Sequence, residues 1–230
     1  PRSCSSAASD VYKRQDLVLA AGTWAEPSRI DELWAGAKRI VACDGALQRC
    51  LRTGRSPDVV VGDMDSVEPD ALAAFTASGG EVVVLDEQNS NDLAKALDWL
   101  EAKGTERCIV VGATGGDGQH EWANLLTCAA SKMDIQCESN DRYHRFLRPC
   151  INYSIDFYID EEFSLFGLPK ARGVDVTGAA YPLKDATLKM GSRGLHNVAN
   201  KASVGLTFNE GRLMLMRSCL DSTEAETNEA

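Results

Sequence analysis

The sequence contains no C-x-x-C pair, although it carries eight cysteines (positions 4, 43, 50, 108, 128, 137, 150 and 219), and their spacing matches no zinc-ligand pattern. That argues against a structural zinc module and a thioredoxin-type redox centre. Several of these cysteines lie within apolar runs, where a reduced thiol behaves as a small hydrophobe. Positive charge is also in short supply. With 24 Lys and Arg against 34 Asp and Glu, the net charge is −10, so neither nucleic acid nor an acidic membrane surface is expected as a partner. An acidic chain can still hold a polyphosphate, given local cations or a metal. No apolar run approaches membrane-spanning length, none has signal-peptide architecture, and no internal repeat is evident. These absences together suggest a cytoplasmic location.

What is present is ordinary globular composition, 44% hydrophobic and 25% charged over 230 residues, enough for one large domain or two small ones. Residues 1–15, PRSCSSAASDVYKRQ, stand apart. They lack hydrophobic periodicity, join abruptly to the strand-like Asp16-Leu-Val-Leu-Ala, and include DVYKRQ, which resembles one reading frame of a transposon end used in sequencing libraries. They are read as a non-native or disordered leader. Residues 219–230 are polar and are expected to form a disordered tail.

Between these ends the pattern changes once. Up to residue 140, strand-like runs (Leu17–Ala20, Arg39–Ala42, Val59–Val61, Glu81–Leu85, Cys108–Val111, Asp134–Glu138) alternate with helical stretches. One helix is marked by Leu93-Ala96-Leu97-Leu100 after the capping residues Asn89 to Asp92, another by Trp122-Leu125-Leu126-Ala129. This predicts an α/β domain over 16–140, its mostly parallel sheet covered by helices on both faces. From 141 to 218 the period becomes two. Ile151, Tyr153, Ile155, Phe157 and Ile159 alternate with polar residues, as do Ala202, Val204, Leu206 and Phe208, before an Asn209-Glu210-Gly211 turn into Leu213–Met216. An antiparallel, all-β second domain is expected there.

Ligands of open parallel sheets bind beyond the carboxyl ends of the strands. Four successive strand ends here carry acids, small residues or glycines: Cys43-Asp44-Gly45-Ala46, Gly62-Asp63-Met64-Asp65-Ser66, Asp86 to Asp92, and Gly112-Ala113-Thr114-Gly115-Gly116-Asp117-Gly118-Gln119-His120. In an extended segment Asp63 and Asp65 point the same way. Two converging carboxylates raise each other's proton affinity unless a cation lies between them, and Mg²⁺ is the hard, oxygen-seeking ion that suits them. Each piece alone also fits something plainer: a turn at Asp44-Gly45, a first-turn acid at Asp92, a solvated helix lysine at Lys95, a structural histidine at His120. The glycine loop lacks the lysine of a P-loop and the spacing of a dinucleotide fingerprint. Together the four ends describe an edge suited to metal and phosphate.

The ordered set ACDGA, VVGDMDS, QNSND and GATGG, followed by YPL and GLHN, resembles the thiamine pyrophosphokinase family from Asp16 to Ser218. The resemblance implies an α/β nucleotide-binding catalytic domain and a C-terminal antiparallel β-sandwich that binds thiamine and forms a homodimer. It implies a transferase that moves a pyrophosphoryl group from ATP to thiamine's hydroxyl with Mg²⁺, releasing AMP. Carried over by position, Asp63, Asp65 and Asp92 match acids that bind metal and phosphate, and Asp44 matches the acid after the second strand; these four are the candidate catalytic residues. Gln88, Asn91, Lys95, Thr114, Gly115, Gly116 and His120 are the candidate nucleotide contacts. Asn197 matches the family's thiamine-touching Ser-Asn pair, and His196 matches it by position only.

The chain also departs from the family's pattern. Asn91-Asp92 stands where Thr-Asp is usual, and Asp117 and Gln119 stand where an arginine and an aspartate are usual before His120. Losing that arginine removes a fixed cation, for which Arg193 or Lys95 could substitute. The departure keeps two rivals open: a thiamine- or nucleotide-binding protein without transferase activity, and a pyrophosphokinase acting on another hydroxymethyl heterocycle such as a pterin. The general base is left open among Asp44, Asp63, Asp65 and Asp92.

Overall fold

A computed structural model describes residues 15–87 and 89–218, so the leader and tail expectations for 1–14 and 219–230 lie outside the described residues. The chain divides into two compact units between Ser139 and Asn140.

The first unit is built on six strands: β1 (Asp16–Leu19), β2 (Arg39–Cys43), β3 (Val59–Gly62), β4 (Glu81–Val84), β5 (Arg107–Val111) and β6 (Asp134–Glu138). They pair in the order β4-β3-β2-β1-β5-β6, every pair parallel. The short apolar runs β1, β2, β3 and β5 form strands because both sides of each are buried, whereas β4, at the end of the strand order, is partly exposed. Leu17, Leu19, Ile40, Ala42, Ile109 and Val111 pack in one cluster with Ile30 and Leu33 of helix α1 (Pro27–Gly36) and Ala46 and Cys50 of α2 (Asp44–Arg52). Their neighbours Val18, Val41 and Val110 point to the opposite face and are fully buried too. A fully buried side chain of this kind contributes about 1.5–3 kcal/mol.

Three further helices follow, α3 (Pro69–Ala77), α4 (Asp92–Ala102) and α5 (Gly118–Ala130). Asn91 caps α4 by accepting from Ala94 N at 2.9 Å, and Leu93, Ala96, Leu97 and Leu100 form its buried face, as the spacing requires. Helix α5 differs from expectation. Leu125 is buried, but Trp122 is 63% and Leu126 48% exposed. The helix is rotated so that Leu125 and Cys128, three residues apart, face inward, and Cys128 Sγ lies 3.7 Å from Cys137 Sγ of β6. A cysteine takes the core position that the leucine pattern assigned elsewhere.

The second unit is antiparallel throughout. Its strands are β7 (Arg142–Leu147), β8 (Tyr153–Asp156), β9 (Glu162–Thr177), β10 (Leu183–Lys189), β11 (Asn197–Val198), β12 (Ser203–Thr207) and β13 (Glu210–Ser218). The path runs β7-β13-β9-β12-β8, and β10 and β11 also pair with β9. Alternate residues of these strands, among them Phe163, Leu165, Val174, Val176, Val204, Leu206, Phe208, Leu213 and Leu215, enclose one apolar core. The long β9 escaped the sequence reading because Gly167, Pro169 and Gly173 interrupt its pattern. Alternation also ends sooner than expected. Tyr153, Ile155 and Phe157 are buried, but Ile159 is exposed in a turn where Glu161 N donates to Tyr158 O, and Ala202 is exposed just ahead of β12. Among the described residues no helix is long and apolar enough to cross a membrane.

Candidate active site

Strand order in the first unit reverses beside β1, which has β2 on one side and β5 on the other. Crossovers leave in opposite directions there, opening a crevice at the carboxyl ends of the strands. A cavity of about 280 Å³ occupies that place. Its walls come from the loop after β1 (Ala20, Ala21, Gly22), the start of α2 (Cys43, Gly45), the start of α4 (Asn91, Asp92, Leu93) and the glycine loop with α5 (Gly115, Gly116, Asp117, His120, Asn124).

Beside the cavity, carboxylate oxygens of Asp44, Asp63 and Asp65 lie within 4.8 Å of one another. The extended geometry expected of Asp63 and Asp65 is not how they converge. Met64 between them adopts φ 67°, in the left-handed region, and Asp65 N donates to Asp63 Oδ1 at 3.3 Å, closing a tight turn. Asp65 is further held by Ser66 Oγ at 2.9 Å. Asp44 enters the group from α2 because β2 and β3 are neighbours, and Gly62 makes room for it. A Cβ on Gly62 would lie 2.7 Å from Asp44 Cγ, so only glycine lets the Asp44 side chain sit this close to β3.

Asp44 is fully buried. Its Oδ1 accepts from Gly45 N, and its Oδ2 has no hydrogen-bond donor. Burial first, and then the adjacent Asp92 carboxylate, push its pKa up to about 7. Lys95 is buried rather than solvated, contrary to the plain expectation for a helix lysine. Its Nζ donates to Asp63 Oδ2 at 2.7 Å and to Asp92 Oδ1 at 3.4 Å. The Lys95 bond holds Asp63 below the usual carboxylate range and raises the lysine in turn. The sequence-predicted acids therefore form one cluster in two parts: Asp44, Asp63 and Asp65 together, and Asp92 between Asp44 and Lys95. One lysine serves an excess of carboxylates.

Asn91, besides capping α4, donates from Nδ2 to Asn124 Oδ1 at 2.9 Å, and Asn124 Nδ2 donates to Ala113 O at 2.9 Å. This amide chain ties the start of α4 to the glycine loop. Thr114 is buried, and its carbonyl accepts from Thr23 N at 2.8 Å. Gly115, at φ 82°, presses against Thr23, and its N–H donates to Glu121 Oε2 at 2.8 Å. Gly116 also has positive φ. Asp117 caps α5 through His120 N at 3.2 Å and meets His120 Nδ1 at 2.8 Å, contacts that hold the aspartate below its ordinary range. His120 is exposed. Gln88 lies outside the described residues. Sequence reasoning passed over the loop after β1 and both Asn124 and Glu121. The Ala21-Gly22 pair at a strand end was the one available signal.

In the second unit, Asn197 is buried and its amide is engaged. Oδ1 accepts from Tyr181 N at 3.0 Å and Val198 N at 2.9 Å, while Nδ2 donates to Tyr181 O at 2.8 Å. Asn197 thus joins the GLHN segment to Tyr181 of the YPL segment and keeps one N–H for other use. His196 is exposed, with φ 51°, and its Nδ1 meets Glu162 Oε2 at 3.2 Å. Arg193 donates to Thr187 O at 3.1 Å.

Residues 30–138 match the family model described as thiamin pyrophosphokinase, catalytic domain, a span that includes every strand-end acid named above. Over that span the chain is similar to the catalytic domain of thiamin pyrophosphokinases. Among curated relatives it is 26% identical over 195 residues to thiamine pyrophosphokinase 2 of rice, covering 72% of each chain. It is 31% identical over 107 residues to thiamin pyrophosphokinase 1 of Caenorhabditis elegans, covering 43% of this chain and 42% of that one. Its fold matches the crystal structure of thiamine pyrophosphokinase from Bacillus subtilis with a TM-score of 0.73 at 20% identity, over 90% of this chain and 100% of that one. Asp117, which stands where the resemblance leads one to expect an arginine, works as a helix cap, and Asn91 takes part in the amide chain to Asn124.

Proposed function

We propose that the protein transfers a pyrophosphoryl group from ATP to the hydroxyl of thiamine, giving thiamine diphosphate and AMP. The observation that carries this reading is the convergence of Asp44, Asp63 and Asp65 within 4.8 Å beside the switch-point cavity, in a span that matches the family's catalytic domain. The donor set fits Mg²⁺: it is all oxygen, it is crowded, and it includes a buried carboxylate oxygen that no donor reaches. Asp44, Asp63 and Asp65 would hold the ion. When bound, it would compensate the triphosphate charge and polarise the phosphorus under attack.

The other residues position and neutralise. Lys95 fixes Asp63 and offsets its charge. Asp92 lines the cavity outside the group of three, which leaves it to take the proton from the attacking hydroxyl. The hydroxyl oxygen forms its bond to the β-phosphorus as the bond from that phosphorus to the α-phosphate bridging oxygen breaks, and AMP departs. Gly116 and Thr114 shape the phosphate cradle at the head of α5, with Asn91 and His120 around the nucleotide. Thiamine is bound by the second unit, where Asn197 holds the Tyr181 segment in place and His196 offers an exposed ring. The enzyme works as a cytoplasmic homodimer.

Incubation with ATP, Mg²⁺ and thiamine tests the reaction. AMP and thiamine diphosphate in equal amounts are expected. ADP with thiamine monophosphate, or transfer to a hydroxymethyl pterin in preference to thiamine, would overturn the proposal.

A further inference from the structure

The cavity is poor in positive charge for a triphosphate. Asp92, Asp117, His120 and the thiol of Cys43 are its titratable wall residues, Asp44, Asp63 and Asp65 stand beside it, and Lys95 is already engaged by Asp63 and Asp92. A second basic side chain reaches the same rim from another direction. Arg49 lies one helical turn beyond Gly45 on α2, so it projects from the face that presents Gly45 to the cavity. Its Nη1 donates to Gly22 O at 3.0 Å, and Gly22 is itself a cavity wall. Its guanidinium stacks 4.3 Å over the Trp24 ring. Trp24 is in turn fixed, buried, with Nε1 donating to Ala20 O at 2.8 Å.

This arrangement pre-orients an arginine. The indole below and the carbonyl at one edge define the plane and direction of the guanidinium, while the side chain keeps donors to spare from the five it carries. No carboxylate neutralises it among the described ion pairs. A stacked, unpaired guanidinium at the rim of an acidic cavity is suited to an anion brought in by a ligand, with little ordering left to do on binding. We infer that Arg49 is a phosphate-binding residue for the nucleotide, held in register by Trp24 and Gly22, and that it supplies the fixed positive charge that Lys95 cannot. The inference deepens the proposed function and rests on it.

The test compares wild type, Arg49→Gln and Arg49→Lys for calorimetric binding of ATP, inorganic tripolyphosphate and adenosine, with the thermal unfolding of each variant followed in parallel. Glutamine keeps a donor for Gly22 O and removes the charge. Arg49→Gln should weaken ATP and tripolyphosphate about tenfold and leave adenosine unchanged, as for loss of one charge-assisted contact. Arg49→Lys should recover part of the loss, because lysine restores the charge without the planar fork. If Arg49→Gln does not fold, Arg49→Lys decides: weaker tripolyphosphate with unchanged adenosine supports the inference, and wild-type affinity for both overturns it. Unchanged ATP affinity in Arg49→Gln overturns it as well, as does an equal loss for adenosine, which would place the stacked arginine under the base. Wild type that forms AMP and thiamine diphosphate beside an indifferent Arg49→Gln sinks this inference alone. Wild type that binds no ATP sinks the proposed function with it.

Discussion

Two buried polar side chains, Asp44 in the first unit and Asn197 in the second, are held in opposite ways. At the strand ends of the first, Asp44 is buried with one carboxylate oxygen lacking a donor, and other acids crowd against it. In the second, Asn197 is also buried, but both acceptor positions of its oxygen and one of its N–H groups are met by backbone. An unsatisfied buried carboxylate costs stability, whereas a satisfied buried amide contributes to it. Under the proposed function, the difference separates a group kept available for a ligand from a group that shapes the chain around one.

The contrast is broken most severely at Gly62. Gly62→Ala would put a methyl 2.7 Å from Asp44 Cγ, so Asp44 must leave its place. Turnover should fall at least about 100-fold, as for loss of a positioned charge, with overpacking costing about 1–3 kcal/mol in a denaturant titration. Full activity would show that Asp44 works from some other position.

Asp44→Asn sharpens the contrast, because it should harm function and help folding. Asparagine keeps the acceptor for Gly45 N and presents an N–H toward Asp92. In the folded protein without metal the Asp44 pKa is about 7, above the ordinary carboxylate value, so this group's contribution is most favourable at low pH and is lost as pH rises from about 4 through 7. The mutant should therefore match wild type near pH 4 and exceed it by about 2–4 kcal/mol near pH 8, without metal. A stability difference independent of pH would mean that Asp44 is ionised at little cost in the fold.

Asn197→Ala should do the reverse. Removing an amide that serves three backbone groups should destabilise the second unit by about 1–3 kcal/mol. It should also raise the thiamine KM more than the ATP KM, because Tyr181 loses its tether. Equal increases in both would detach this loop from thiamine binding. The smallest effect belongs to Asp117→Arg. Sequence comparison alone suggests that arginine would lower the ATP KM. The structure adds a cost, since the α5 cap and its His120 contact disappear, so a lower melting temperature should accompany any gain in nucleotide affinity, and Asp117→Asn should show neither.

The strands of the first unit were legible nearly to the residue, because a strand buried on both faces must be a short continuous apolar run, and the residues at the carboxyl end of each run are then easy to find. Asp44, Asp63, Asp65 and Asp92 were legible for that reason. Their division into a group of three and a lysine-linked fourth was not. It depends on β2 lying beside β3 and on α4 delivering Lys95 to Asp63, contacts that join residues 32 apart in sequence. The second unit hid more. Glycines and a proline masked β9, and nothing local says that an asparagine after His196 will turn inward to hold Tyr181. Arg49 was invisible for a related reason: its partners Trp24 and Gly22 lie on a different loop.

The central claim is that the crowded acids serve chemistry rather than the fold, and Asp65 tests it most directly. It is exposed, and its carboxylate meets only its neighbour Ser66 among the hydrogen bonds described for that side chain. AMP and thiamine diphosphate formation by Asp65→Asn should therefore be measured alongside thermal unfolding. Turnover about 1,000-fold below wild type, with an unchanged melting temperature, is the expected result for loss of a charge that acts at the reacting centre. Near-normal Mg²⁺-dependent turnover by a folded mutant would contradict the account.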